Sequence, residues 1–369
     1  MQKRNHLTKI IRNIEPVLGK EELKELRESI AALWISGGPK VKEFQEKIAK
    51  LCGVKHAIAV CNGTQALYVG LLALGVGKGD EVIVPDFTFI ASANAVTWTG
   101  ATPVFVDVDR RTFNIDPREA ERAITKRTKA IMPVHIYGQA ANMRAIMSLA
   151  RRRKLKVVED AAQGIGVSFK GKPVGGFGEV GCISFYADKI MTTGEGGMIV
   201  TNDDELAKRC VILLNQGRTG RGWYIHDYIG YNFRMTDLQA GVGLAQLRKL
   251  PRLLEKRRRI ERWYRSFLKG APGVTFPYAA PEGVRVPYRI TIMVEDPQGL
   301  MEFLDARGIK AVRSFYPLHL QPCYKGRRHK GSFPNSRHAY ARVLRLPSGN
   351  TLTKGEVKRV CGGIKDFFV

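Results

Sequence analysis

The stretch GCISFYADKIMTTGEGGMIVTND holds the residues of this chain best suited to chemistry. A short strand delivers Ser184 and then Lys189, ahead of a Thr-Thr-Gly-Glu-Gly-Gly turn and another strand. Glycines at that density are costly in a plain hairpin and suit a backbone that passes tightly beside a ligand. A lysine desolvated there becomes a neutral amine able to form a Schiff base, whereas a lysine taken at random is a surface charge. Upstream, LKVVEDAAQGIG ends an apolar strand in Glu159-Asp160 and a small-residue turn. Ligands of open α/β sheets bind at the carboxyl ends of the strands, where an aspartate can keep a ring nitrogen protonated or simply cap the next turn. Earlier still, HAIAV runs through Asn62-Gly63-Thr64 into a helix. Free N–H groups at a helix start, a threonine hydroxyl and a glycine suit a phosphate, and the same residues also suit a plain N-cap.

The elements that must position these residues follow a β-α-β rhythm to about residue 200. HAIAV precedes TQALYVGLLALGV, EVIVP precedes FIASANAVTW, and AIMPVHI precedes MRAIMSLARRR and then KVVED. Short apolar strands separated by helices imply parallel pairing with helices on both faces, so the fold class is α/β. From Pro251 the segment PRLLEKRRRIERWYRSFLKG reads as a long helix, with YRITIMV as a strand and GLMEFLDARG as a helix after it. The expected division is therefore a large unit over 1–250 and a smaller α+β unit over 251–369. No repeat, low-complexity linker or heptad run is present, which excludes solenoids and coiled coils.

The 369 residues, 44% hydrophobic and 25% charged, are the composition of a globular protein of roughly two domains. No apolar run approaches a membrane span, and the start MQKRNHLTKIIRNIEP lacks a signal-peptide core, so a cytoplasmic protein is expected. Six cysteines, at 52, 61, 182, 210, 323 and 361, form no Cys-x-x-Cys pair and predict reduced thiols and no metal. Lys and Arg number 60 against 34 Asp and Glu, a net charge of +26. Such a field attracts polyanions, nucleic acids and diphosphate-bearing small molecules alike. Basic clusters at Arg151 to Lys156, Lys256 to Arg265 and Lys325 to Lys330 read as solvated faces, and no helix-turn-helix, zinc-finger or RNP-like pattern accompanies them.

The order NGT, PDFTFIASANAV, EDAAQ, SFYADKIMTTGEGG and YNFRMTDLQAGVGLAQL resembles the DegT/DnrJ/EryC1/StrS family of pyridoxal-phosphate (PLP) sugar aminotransferases. The likeness runs from WISGGPKVKEFQEKIA to LRLPSGNTLT. It implies an aspartate-aminotransferase-like type I fold, with a mixed, mainly parallel sheet and a homodimer with composite sites. It implies that Lys189 bonds to PLP, Asp160 pairs with the pyridine nitrogen, Gln163 lies by the ring hydroxyl and Phe89 stacks on the ring. Gly63, Thr64 and Ser184 match positions that hold the phosphate, and Asn232 one that reaches it from the neighbouring subunit. A lysine at 189, rather than the histidine of related dehydratases, implies transamination. The resemblance implies L-glutamate as donor and a nucleotide-linked keto-sugar as acceptor, in a ping-pong cycle. TTGEGG after the lysine resembles perosamine-synthase-like C-4 enzymes, with a C-3 keto-sugar or a cyclitol as the alternative acceptor. Ser36 to Pro39, Gln216 to Arg221 and Tyr316 to His319 match regions lining the sugar-nucleotide side, with Arg218, Arg221 and Arg313 as diphosphate partners. His319 and His135 read equally well as structural histidines. A non-catalytic regulatory or nucleic-acid-binding homologue is the competing class, suggested by charge alone.

Overall fold

The computed structural model describes residues 9–220, 224–326 and 331–369. Strands β1 (His56–Val60), β2 (Glu81–Pro85), β3 (Thr102–Val106), β4 (Thr128–Ile131) and β5 (Lys156–Asp160) come first, followed by a small hairpin, β6 (Ser168–Phe169) and β7 (Lys172–Pro173). β8 (Val180–Ser184) and β9 (Gly197–Thr201) flank the lysine-bearing turn, and β10 (Ile290–Met293), β11 (Val312–Arg313) and β12 (Val343–Leu346) lie towards the C-terminus. Helices are α1 (Lys20–Ala31), α2 (Pro39–Cys52), α3 (Gly63–Ala73), α4 (Ala91–Trp98), α5 (Pro117–Ala123), α6 (Met143–Arg153), α7 (Asp204–Leu214), α8 (Asp237–Phe267), α9 (Pro297–Asp305), α10 (Pro334–Arg342) and α11 (Lys354–Asp366).

A seven-stranded sheet in the order β1-β9-β8-β5-β4-β2-β3 forms the centre. Only β9 runs against both neighbours; the pairs from β8 to β3 are parallel. Side chains alternate between faces along each strand, so two cores form. On one face Ile58, Val60, Val82 and Val84 pack with α3, α4 and α7. On the other, Ala57 and Ala59 meet α2 and α8, while Ile83 and Val157 meet α5 and α6. Burial on both faces explains why these strands read as nearly continuous apolar runs.

A separate core surrounds the three-stranded antiparallel sheet β10-β12-β11 with α9, α11 and the end of α8. Ile11 belongs to it as well, pairing with Ile309. The helix expected from Pro251 begins instead at Asp237, behind a Thr236–Gln239 capping box, and Pro251 lies inside it. The apolar residues before it, Ala240, Leu244 and Leu250, serve a core of the large sheet, and Ile260 and Tyr264 serve that of the small sheet. The proline misled the reading because it suits a first turn, yet here the packing of both flanks holds the helix through it. Among the described residues no helix is long and apolar enough to cross a membrane, and no cluster of metal-ligating side chains occurs.

Helix α1 is pinned to α8 by polar groups. Glu22 accepts from Lys249 Nζ at 2.7 Å, from Gln246 Nε2 at 2.8 Å and from the Gly19 N–H at 2.7 Å. Burial works against the carboxylate's charge, but these donors outweigh it and hold Glu22 below its ordinary 4.5. A carboxyl depressed on folding adds stability that is complete above its unfolded pKa and is lost as pH falls through the folded one. Glu22→Ala is therefore expected to cost about 2 kcal/mol at neutral pH, since buried Lys249 then keeps only the exposed Glu21, 3.1 Å away, as a partner. Urea unfolding at pH 7 and pH 4 checks this, with a smaller difference from the parent chain at pH 4.

Candidate active site

Strand register builds the site. Val60 pairs with Gly197, and Gly197 pairs with Ser184, so the end of β1, the start of β9 and the end of β8 lie in one row. The chain leaving β1 enters α3 at Asn62, whose side chain accepts from the Gln65 N–H at 2.9 Å. That cap leaves the N–H groups of Gly63 and Thr64 at an open helix start, with no carbonyl a turn earlier in the helix to receive them. A Cβ at Gly63 would come 2.8 Å from Ser184 Cβ, and one at Gly197 would come 2.5 Å from the Asn62 carbonyl. Glycine at both positions therefore lets the serine hydroxyl and the helix start converge.

The Thr-Thr-Gly-Glu-Gly-Gly turn is fixed from within. Thr192 Oγ1 donates to the Phe185 carbonyl at 2.9 Å and accepts from the Gly194 N–H at 2.9 Å, and Gly194 has φ +82°. A Cβ at Gly196 would meet Thr193 Oγ1 and Met235, and one at Gly197 the Asn62 backbone, so the turn packs closely on its own chain. Lys189 stands just before this turn. Its Nζ lies 3.4 Å from Tyr288 Oη and 4.5 Å from that ring's centre. Tyr288 in turn donates to Asp188 Oδ1 at 2.9 Å, and Arg289 pairs with Asp188 Oδ2. Behind them the buried Arg257 donates to the Tyr288 carbonyl at 2.9 Å and to Asn350 at 3.2 Å. Burial, with repulsion from Arg289, pulls the Arg257 guanidinium down to about 9, which still leaves it charged at neutral pH.

At the end of β5, Asp160 is 5% exposed and accepts from Ser92 Oγ at 2.7 Å and the Ala162 N–H at 3.2 Å. Its neighbour Glu159 turns to the opposite face, where the N–H groups of Gly175, Phe177 and Gly178 and the His135 ring receive it. Burial opposes that charge, yet His135 and the backbone donors keep Glu159 below its ordinary range. His135 Nδ1 accepts from the Ala141 N–H, so Nε2 carries the proton offered to Glu159. His135 is thus structural. Gln163 Oε1 accepts from the Tyr137 N–H at 2.7 Å, which leaves its amide N–H groups to donate elsewhere. Burial pushes the Tyr137 hydroxyl up to about 12, against the charge of Arg345.

Asn62, Gly63, Thr64, Phe89, Asp160, Gln163, Ser184 and Lys189 all line one cavity of about 650 Å³. Asn232 does not; it is exposed and bridges to Asn215. Among the described residues, the expected substrate contacts Arg218, Arg313, Tyr316 and His319 also stand away from its walls. Arg313 donates to the Tyr340 carbonyl at 2.9 Å, and Tyr316 meets Tyr340 edge-on. His319 is held by Asp86 Oδ2 at 2.7 Å and stacks on Phe333. Arg218 lies over Tyr224, the Ser36 to Pro39 stretch leads into α2, and Arg221 lies outside the described residues. The sequence reading missed Asp188, Glu195, Tyr288, Phe315 and Arg345, which also line the cavity. The signal lay in a tyrosine and arginine opening the strand-like YRITIMV and an arginine within VLRLP, positions read only for their apolar neighbours.

The arrangement places an anion-binding helix start with a hydroxyl, a buried carboxylate and an amine around one space. Such a set suits a phosphate, a protonated ring nitrogen and an aldehyde. A model of the DegT/DnrJ/EryC1/StrS aminotransferase family matches residues 16–365. The chain belongs to this family. It is 42% identical over 361 residues to GDP-perosamine synthase of Caulobacter vibrioides, covering 96% of this chain and 97% of that one. It is 39% identical over 355 residues to dTDP-3-amino-3,4,6-trideoxy-alpha-D-glucose transaminase of Streptomyces venezuelae, covering 94% and 93%. The Streptococcus pneumoniae protein Spr1654, solved in a PLP form, superposes with a TM-score of 0.93 at 28% identity over 97% of this chain and 98% of that one. The fold expected from the sequence is thus the fold observed, and the protein is a PLP-dependent aminotransferase.

Crowding at the helix start gives a direct test. Ser184→Ala removes a donor to an anion and is expected to weaken PLP about tenfold or more. Gly63→Ala pushes a methyl group against Ser184 and should do the same. Fluorescence titration of the apoprotein with PLP measures both.

Proposed function

We propose that this enzyme transfers an amino group from L-glutamate to C-4 of a nucleotide-linked 4-keto-6-deoxy sugar, as a perosamine-synthase-like aminotransferase. The observation that carries the reading is that Lys189 and Asp160 line one cavity together with Gly63 and Ser184, which pack against each other. The identity to GDP-perosamine synthase over nearly the whole chain supports the choice of acceptor.

Bound PLP supplies an aldehyde that takes up an amine and a pyridinium ring that accepts an electron pair. Gly63 and Thr64 N–H groups and the Ser184 hydroxyl would hold its phosphate, and Gln163 its ring hydroxyl. Phe89, 57% exposed and 6.3 Å from Phe315, is free to cover one face of the ring. Asp160, its carboxylate oriented by Ser92 and Ala162 and shielded from water, would pair with the ring nitrogen and favour its protonated form. Lys189 would carry the bond to the cofactor, and its Nζ, once free, would be the base that holds and returns the donor's α-proton. Tyr288, hydrogen-bonded to Asp188, gives that amine a fixed partner.

The same reading makes the enzyme a homodimer in which Asn232 reaches the phosphate of the adjoining subunit. The exposure of Leu33 (86%), Trp34 (51%), Ile35 (57%) and Ile229 (90%) supports a covering second copy. The cytoplasm is the expected compartment. A second reading, transfer to C-3, draws on the similarity to the dTDP-linked 3-amino sugar transaminase.

The test uses enzyme converted by L-glutamate to its amino form and freed of amino acid. GDP-, UDP- and dTDP-linked 4-keto-6-deoxy sugars and a 3-keto sugar are then offered separately. Recovery of the yellow absorbance with a 4-keto sugar, GDP-linked first, is expected, and the product's NMR spectrum should show nitrogen on C-4. Nitrogen on C-3 establishes the second reading, and no recovery with any sugar overturns both. Lys189→Ala should lower turnover by at least about 10³-fold, in line with loss of both covalent and proton-transfer roles. Its steady-state rate checks this.

A further inference from the structure

Three side chains converge on the hydroxyl of Tyr288, which lines the cavity with Lys189 and Asp188. Tyr288 is buried and fixed through its main chain: its N–H donates to the Tyr137 carbonyl at 3.2 Å, and its carbonyl accepts from Arg257 at 2.9 Å. Its Oη lies 2.9 Å from Asp188 Oδ1, 3.3 Å from a terminal nitrogen of Arg289 and 3.4 Å from Lys189 Nζ. Arg289 also pairs with Asp188 Oδ2, and its other terminal nitrogen donates to Asn13 Oδ1 at 3.3 Å, so the guanidinium is held from two sides. A phenol has one proton and two lone pairs, a carboxylate only accepts, and a guanidinium only donates. The Tyr288 proton is therefore committed to Asp188 and one lone pair to Arg289. The lone pair that remains can only receive an N–H from Lys189.

We propose that Asp188 and Tyr288 are positioning residues that keep the lone pair of the free Lys189 amine available for reaction by fixing the direction of the hydrogen bond between phenol and amine. This rests on the aminotransferase reading, in which that amine must receive the donor's α-proton. A neutral amine has two N–H groups and one lone pair. With one N–H spent on Tyr288, the lone pair cannot point at the phenol. Were the phenol to donate instead, the same contact would occupy the lone pair, and the amine could neither take a proton nor attack an aldehyde. Asp188 sets which of the two occurs. In Asp188→Asn the shape is nearly kept, but Arg289 still demands an oxygen at the Oδ2 position, so the new amide turns its NH2 group towards Tyr288 Oη. The phenol then receives from the amide and from Arg289, and its own proton is left for the Lys189 lone pair. The effect of Asp188 on the amine thus runs through the Tyr288 hydroxyl.

The experiment is a double-mutant cycle of Asp188→Asn, Tyr288→Phe and the two combined. One readout is the rate at which acetic anhydride acetylates Lys189 in the apoenzyme at a fixed alkaline pH, followed by peptide mass spectrometry. The other is the half-reaction of PLP-loaded enzyme with L-glutamate and with α-deuterated L-glutamate, followed by stopped-flow absorbance. Asp188→Asn is expected to slow acetylation about fivefold, the worth of one hydrogen bond on the lone pair. It should slow the glutamate half-reaction about 10- to 100-fold, with a larger α-deuterium isotope effect, as a misdirected general base would. In the Tyr288→Phe background the same substitution should slow neither reaction, because no hydroxyl is left to turn. The charge removed with Asp188 acts in both backgrounds and cancels in the cycle. Equal slowing in both backgrounds overturns the proposal and leaves Asp188 a charge or packing role. Unchanged rates in Asp188→Asn overturn it too. A parent enzyme that reacts with no amino acid refutes the aminotransferase reading; acetylation, which needs neither PLP nor an amino donor, still decides how the amine is held.

Discussion

Two carboxylates stand side by side at the end of one buried strand, and much of the molecule answers to that fact. Neighbouring side chains on a strand point to opposite faces, so Glu159 and Asp160 cannot share partners. Glu159 is satisfied below the sheet by three N–H groups from the loop after β7 and by His135. Asp160 is satisfied above by Ser92 and Ala162, with room left on the cavity side. A charge buried without partners would be several kcal/mol uphill. The loop from Ala161 to Glu179 is therefore wrapped around the strand end, and its conformation also sets Gln163 beside Tyr137.

The other half of the site is assembled from the smaller sheet. Tyr288, Arg289 and Arg345 come from chain segments around β10 and β12, yet they meet Lys189, Asp188 and the cavity. Arg257 closes this connection from α8 by holding the Tyr288 backbone. Lys189 thus sits where the two cores meet, with its carbon skeleton carried by one and its hydrogen-bonding partner supplied by the other. A change in how these cores pack on each other would reach its nitrogen through Tyr288.

Much of this was legible in the sequence. The alternation of apolar strands and amphipathic helices gave the α/β class, and Asn62-Gly63-Thr64, Asp160, Ser184 and Lys189 do face one cavity. These residues lie at strand ends beside turns rich in small residues, where local sequence carries the signal. Tyr288 and Arg345 gave no such signal, because a polar residue beside or within a short apolar strand looks like any exposed position until the sheet's partner is known. Arg313, Tyr316 and His319 illustrate the converse. Their types suited a charged ligand, but Tyr340, Asp86 and Phe333 occupy them through contacts formed across long stretches of chain. The start of α8 was obscured by Pro251, whose local preference is overridden by packing on both sides of it.

That helix also sets the mechanics of the site. Because α8 runs unbroken from the core beneath the large sheet to the core beneath the small one, the two cannot swing like plates on a loose tether. Relative motion must bend a rod, and the softest point in that rod is Pro251, where one backbone hydrogen bond is missing by necessity. Movement about it carries Arg257, and with it the Tyr288 backbone, through a short arc. The spine therefore acts as a stiff spring between the cores, and it keeps the width of the cleft a property of the fold.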